Sequence, residues 1–365
     1  MPVDLRAVAA RSGVSVATAS RALSGSPRVS PQTRDRVRAA AVALGYRPNA
    51  NARALRTARS RFVGLVITNL VNGSFHVIAE LVQQRLAERG YQMVLAVTGG
   101  DAAQEREALR MLADHSAEGV IVVGSDSRAT DELQRMALPV VHLARKPAAP
   151  AGDCVLGDDL TGAREATTYL AGLGHRRIAV VSGPGSVTSG RERLRGYRLA
   201  MQDCGLAVRD ELVVVGPFTP HTGQAAVAAL LALPARRRPT AVLVTNHEAA
   251  YGVLPALREA GVDVPADLSV LCYEDAELLR WWHPGITVVD INAPEMGELA
   301  ARLLLDRIDG TRPAGTRIAQ FRVGTRLIVR GSCARPGNGR AAGSRRSPAA
   351  SNRSPAGTVT QSLPD

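Results

Sequence analysis

Residues 11–25, RSGVSVATASRALSG, carry hydroxyls and an arginine where a core-packing helix would carry large apolar side chains. A helix that only covers a core shows a broad apolar stripe. Here Ser15, Thr18, Ser20 and Arg21 surround the small apolar residues Val16 and Ala17, and Gly13 supplies a turn just ahead. With LRAVAARSG before it, the stretch predicts two short helices joined by a tight turn, the second capped by Ser15 and running to about Leu23. Such a helix is built to be touched from outside. Laid in a DNA major groove, its N-terminal turns would meet the base edges. Ser15 and Thr18 would reach phosphate oxygens, helped by the helix N-terminus. Val16 and Ala17 would meet thymine methyls or the groove floor, and Arg21 could fork onto guanine. An ordinary helical hairpin with a solvated arginine is the competing reading.

Charge supports the first reading. Of a net charge of +12 in 365 residues, residues 1–61 contribute +10, as twelve arginines against Asp4 and Asp35. Residues 332–365 contribute +4, so the long body between them is close to neutral at −2. A basic head on a neutral body is the footprint of a polyanion binder. Within the head, Ser30 and Pro31 open a third helix whose apolar face is Val37, Ala40, Ala41 and Leu44, and Gly45 stops it. After Pro48, NANARALRTA reads as a weak fourth helix with little to bury.

From Arg61 the texture changes. RFVGLVIT, YQMVLAV, GVIVVG, PVVHL, RRIAVVSG, AVLVTN, LSVLCY and ITVVDI are short apolar runs, separated by stretches of helical period such as IAELVQQRLAERG and GYRLAMQDCG. Strands apolar on both faces, alternating with helices, predict parallel sheets covered by helices. The expected division is a helix-turn-helix head over 1–47, a hinge over 48–60 and an α/β core over 61–331. Two similar halves form that core, about 61–160 plus 291–320, and about 161–290 plus 321–331. A Gly/Pro/Ser-rich basic tail, 332–365, is expected to be disordered.

Several classes are disfavoured. No run is long enough for an apolar membrane span, and the N-terminus lacks the apolar stretch of a signal peptide, so a cytoplasmic, nucleoid-associated chain is expected. Cys154, Cys204, Cys272 and Cys333 show no metal-ligand spacing and read as idle thiols. No metal and no cofactor is expected. SGPGSVTSG, 182–190, resembles a phosphate loop, but no lysine follows it. There is no HExxH and no GxSxG, so an enzyme is not expected. An α/β enzyme or a small-molecule-binding protein with an incidental basic head remains the rival. Asp158 and Asp159 read as caps of the helix that begins near Thr161, ahead of a catalytic pair.

Taken together, ARSGVSVATASRAL, VSPQTRDRV and LGYRPNANARALRT, in this order, closely resemble the LacI/GalR family of bacterial transcription regulators. DLSVLCYEDAELLRWWHPGITVV resembles its body more loosely. The resemblance spans about Val3 to Arg330 and implies a core like that of periplasmic sugar-binding proteins. It implies a homodimer on near-palindromic double-stranded operator DNA, usually as a repressor. The NANARAL segment then matches the hinge helix, with Leu55 as the wedge between central base pairs and Asn49 and Arg53 beside it. It also implies a small-molecule effector, a sugar or sugar derivative, in a crevice between the subdomains. The matching positions are Ser74, Phe75, Ser125, Arg145, Arg193, Phe218, Asn246 and Glu274. Three departures bear on the ligand. His247 stands where the family often has Asp, Ala144 replaces a common acidic residue, and Glu274 replaces the usual Asp. Fewer carboxylates loosen the case for a plain neutral sugar and add a phosphorylated or acidic sugar as an effector beside it.

Overall fold

Gly13 takes a left-handed backbone, φ +64°, which only a residue without Cβ adopts freely, and so folds the first two helices onto each other. The computed structural model describes residues 4–46, 60–124, 133, 135, 138–313 and 315–337. Helices α1 (Leu5–Ser12), α2 (Val16–Leu23) and α3 (Pro31–Ala43) make the head. Asp4, Ser15 and Ser30 cap them, each accepting a hydrogen bond from a backbone N–H in the first turn. Val8, Ala9, Ala19, Ala22, Val29 and Val37 form a small core of their own. The expected hinge, with Asn49, Arg53 and Leu55, lies outside the described residues, as does Ser125.

The body holds two sheets with the same winding. The first has the order β11-β5-β4-β3-β1-β2. Its strands are β1 (Phe62–Ile67), β2 (Gln92–Val97), β3 (Val120–Val122), β4 (Val140–Leu143), β5 (Asp153–Gly157) and β11 (Gln320–Val323). All its pairings are parallel. The second has the order β12-β10-β9-β8-β6-β7. It comprises β6 (Ile178–Ser182), β7 (Val213–Val215), β8 (Ala241–Val244), β9 (Ser269–Tyr273), β10 (Thr287–Asp290) and β12 (Arg326–Ile328). Only β12 runs antiparallel to its neighbour. Every apolar run picked out in the sequence is a strand.

Two boundaries move. Residues 321–323 belong with the first sheet, since β11 pairs with β5, so the chain crosses only between Val323 and Arg326. The core also continues past residue 331. Ser332 is buried and donates to the Val270 carbonyl at 2.6 Å, and the Ala334 N–H donates to Ser269 Oγ at 3.0 Å. These two residues dock on the second sheet, which a composition-based tail boundary does not register.

Helices cover both sheets. On the first lie α4 (Gly73–Glu88), α5 (Ala102–Asp114) and α11 (Ala293–Ile308). On the second lie α6 (Asp159–Gly172), α7 (Thr188–Asp203), α8 (Pro220–Ala232), α9 (His247–Glu259) and the short α10 (Glu277–Trp281). In each sheet the winding reverses beside its first strand, at β1/β3 and at β6/β8. Open α/β sheets bind ligands outside the strand C-termini at such a reversal. The two reversals meet across one crevice.

Candidate functional site

On the head, α2 presents the expected face. Val16 is 44% exposed, Ala17 and Arg21 are exposed, and Ala19 and Ala22 turn inward. Ser15 and Thr18 engage each other. Thr18 N–H donates to Ser15 Oγ at 3.1 Å, and the two hydroxyls lie 2.9 Å apart. The hydroxyl pair stays solvent-facing while it fixes the helix start. Ser20 is half-buried. Arginines 28, 34, 36 and 38 add positive charge on the loop and on α3.

The crevice forms where strand C-termini end. Phe75, Ser74 and Asn72 come from the start of α4, and Ala144 and Arg145 from the end of β4. Ser189, Arg193, Phe218, Asn246 and Glu274 face them from the second half. Seven of the eight predicted crevice residues, all but Ser125, line this one cavity. Its volume is only about 30 Å³, room for about one water. Ligand pockets for drug-sized molecules run to several hundred Å³. The walls are therefore in near-contact.

Two non-glycine residues aim into it through left-handed backbone, Ala144 at φ +58° and Glu274 at φ +69°. They hold matching places after β4 and β9. Such conformations are strained for residues bearing Cβ and concentrate at binding sites. Gly183 makes room in the other sense, because a Cβ there would stand 2.0 Å from the Phe218 ring.

Arg193 is the electrostatic centre. Its Nε donates to Asp159 Oδ1 at 2.8 Å, and its Nη1 to the Thr245 carbonyl at 2.6 Å and to Glu274 Oε1 at 3.3 Å. The guanidinium also lies 4.2 Å from the centre of the Tyr273 ring. Burial pushes Asp159 up to about 6, since it shares one cation with a second acid. Glu274 is also buried, but His247 and Arg193 outweigh that and hold it near about 2.

The sequence assigned Asp159 to helix capping. The cap is Asp158, which accepts from Thr161 N–H at 3.4 Å, whereas Asp159 is buried on Arg193. Arg145 differs from Arg193. Its guanidinium sits 5.4 Å from the Phe218 ring centre across the crevice. Among the described residues it makes no ion pair. Burial and the nearby Arg193 charge lower its pKa. Asn246 caps α9 by accepting from Ala249 N–H at 2.8 Å.

Sequence reasoning missed two further residues, Asn72 and Glu248, and marked His247 only as a departure from the family pattern. His247, fully buried, lies 2.5 Å from Glu274 through Nδ1, a close polar contact, and its Nε2 accepts from Gly73 N–H at 3.1 Å. The Asn72 side-chain amide donates to Glu248 Oε1 at 3.3 Å and Glu274 Oε2 at 3.2 Å. Asn69 donates to Glu248 as well, at 3.3 Å. The recoverable signal was the pair of polar residues following Asn246 directly after an apolar strand.

No group of three or more potential metal ligands occurs among the described residues, and none of their helices is long and apolar enough to cross a membrane. The four cysteines are free, and burial pushes Cys154 and Cys333 up to about 11.

Comparison with known proteins agrees with this geometry. Residues 4–49 match the bacterial regulatory proteins of the lacI family, and residues 167–333 match a periplasmic binding protein-like domain. The chain is 34% identical over 345 residues to the HTH-type transcriptional regulator MalR of Streptomyces coelicolor, covering 92% of this chain and 97% of that one. It is 32% identical over 309 residues to the HTH-type transcriptional repressor PurR of Vibrio campbellii, covering 83% of this chain and 91% of that one. The Lac repressor dimer bound to operator and the anti-inducer ONPF has the same fold, with a TM-score of 0.80 at 25% identity, covering 92% of this chain and 100% of that one. This chain belongs to the lacI family of bacterial regulatory proteins.

Proposed function

We propose that this protein is a sequence-specific transcriptional repressor whose head grips operator DNA while a small molecule, bound between the two halves of the body, sets the affinity. The observation that carries the reading is the pairing of an arginine-rich head, with Val16, Ala17 and Arg21 on an open face, to a polar crevice at two strand reversals. Ser15, Thr18 and Ser20 position α2 on the backbone, and Arg21 reads a base. Asn49, Arg53 and Leu55 serve the hinge at the operator centre.

The chain works as a homodimer. The edge strand β2 leaves Leu95 38% and Val97 45% exposed, and Leu278 and Trp281 are 54% and 78% exposed on the second half. Apolar surface at a sheet edge invites pairing. Such a regulator acts on the nucleoid, in the cytoplasm, and performs no catalysis.

The effector is an acidic or phosphorylated sugar. Arg193 is already committed to two carboxylates, so the anionic group goes to Arg145, which lies beside the Phe218 ring and makes no ion pair among the described residues. Phe75, Ser74, Asn246 and Glu274 complete the lining, and Ser125 is assigned to the effector by the family resemblance alone.

Removing residues 1–60 tests the division of labour. The remaining body is expected to keep small-molecule binding and lose affinity for duplex DNA. Retention of full DNA affinity by the body would contradict it.

A further inference from the structure

Side chains of the two halves meet directly across the crevice. Helices α4 and α9 point their N-termini at each other, Asn72–Gly73 on one side and Asn246–His247 on the other. Two like helix ends repel unless negative charge lies between them. Glu248 and Glu274 occupy that place. Asn69 and Asn72 donate to Glu248, Asn72 donates to Glu274, and Gly73 N–H donates to His247 Nε2. Every one of these bonds joins the first half of the body to the second. Asn72, His247, Glu248 and Glu274 are all buried, between 0% and 6% exposed.

We propose that Asn69, Asn72, Gly73, His247 and Glu248 form a built-in latch that holds the crevice shut by itself, and that an effector gains the crevice only when the latch opens. The charge arrangement suits such a role. Glu274 keeps His247 and Arg193 as partners on its own half when the halves part. Among the described residues, Glu248 has its side-chain hydrogen bonds only from the opposite half. Opening therefore exposes one carboxylate to water at modest cost, whereas closure restores its partners. With room for about one water inside, a sugar-sized molecule and the closed latch exclude each other.

The latch takes its meaning from the reading of the crevice as the effector site, but its test needs no effector. Hydrogen exchange of the full-length protein reports the opening directly, through the amides of residues 69–75. Each lost bond is worth about 0.5–1.5 kcal/mol, so His247→Ala and Asn72→Ala are expected to speed that exchange about 2- to 10-fold. Protection in β6 and β9 is expected to stay as in the parent. His247→Gln, whose side-chain oxygen can accept from Gly73, is expected to restore the slow exchange.

If His247→Ala loosens the whole second sheet, Asn69→Asp decides, because it keeps the oxygen that accepts from Asn72 N–H and removes only the amide donated to Glu248. A local rise in that variant supports the latch, and an unchanged rate overturns it. Unchanged exchange in His247→Ala and Asn72→Ala together, or His247→Gln behaving as His247→Ala, also overturns it. Should the latch behave as expected in a protein whose head ignores duplex DNA, the functional reading fails and the latch stands.

Discussion

Arg193 Nε and Asp159 Oδ1 meet at 2.8 Å with both side chains almost wholly out of water, 6% and 4% exposed. Breaking a buried pair by removing one partner leaves an uncompensated charge, at a cost of about 3–5 kcal/mol. Arg193→Ala strands Asp159 and Glu274 together. It is expected to lower the unfolding free energy by about that amount, with a drop in thermal midpoint confined to the body. In Asp159→Asn combined with Arg193→Gln, much of the loss should return. A double variant as unstable as Arg193→Ala alone would place the cost elsewhere, in lost packing on Tyr273.

Arg145 is expected to behave differently. It makes no ion pair among the described residues, so Arg145→Ala should change stability little. Its effect belongs to binding. Calorimetric titration with a sugar phosphate and with an aldonate is expected to show a loss of about 1.5–3 kcal/mol, tenfold or more. Binding of a neutral sugar should hardly move. Equal loss for charged and neutral ligands would return the effector to the neutral class.

On the head, Arg21→Ala should relax base preference at one position in each half-site, at about 1–3 kcal/mol of lost discrimination. Competition binding against single-base operator variants reads this. Uniform weakening across all duplexes would reassign Arg21 to the phosphate backbone.

Asp153 provides a pH test within the first sheet. It is fully buried, accepts from Arg307 Nε at 3.0 Å and Nη2 at 3.1 Å, and accepts from Ala319 N–H at 2.7 Å. Burial alone would raise its pKa, but these partners outweigh it and hold it below the ordinary carboxylate value. A depressed folded pKa gives stability that is present above the unfolded value, near about 4, and lost as pH falls through the folded one. Stability is thus expected to decline below about pH 4. In Arg307→Ala that slope should flatten and stability at neutral pH should fall by about 3 kcal/mol. An unchanged acid limb would show that Arg312 and the backbone suffice.

Local chemistry made much of this readable from the chain. Ser15 and Ser30 cap helices through their own side chains, and Gly13 turns through its own backbone, so the head follows from neighbours in sequence. Eight apolar strands, most of them buried along their length, announced themselves likewise. The strands β5, β7, β11 and β12 did not. Of these, β7, β11 and β12 lie at sheet edges with exposed or half-exposed residues, while β5 opens on a buried charge. The crevice was legible as a set of lining positions, but not as a network. Gly73 and His247 are 174 residues apart, and nothing beside either names the other. Asp158 and Asp159 look alike in sequence, and only the tertiary position of Arg193 makes one a cap and the other its partner.

The central claim is that the head selects sequence and the body governs when. Selection of bound duplexes from a random pool by the purified full-length protein tests it most directly. The expected result is enrichment of one near-palindromic site, absent for protein lacking residues 1–60 and altered in yield by an anionic sugar. Recovery of no common site, or equal recovery without the head, would contradict it.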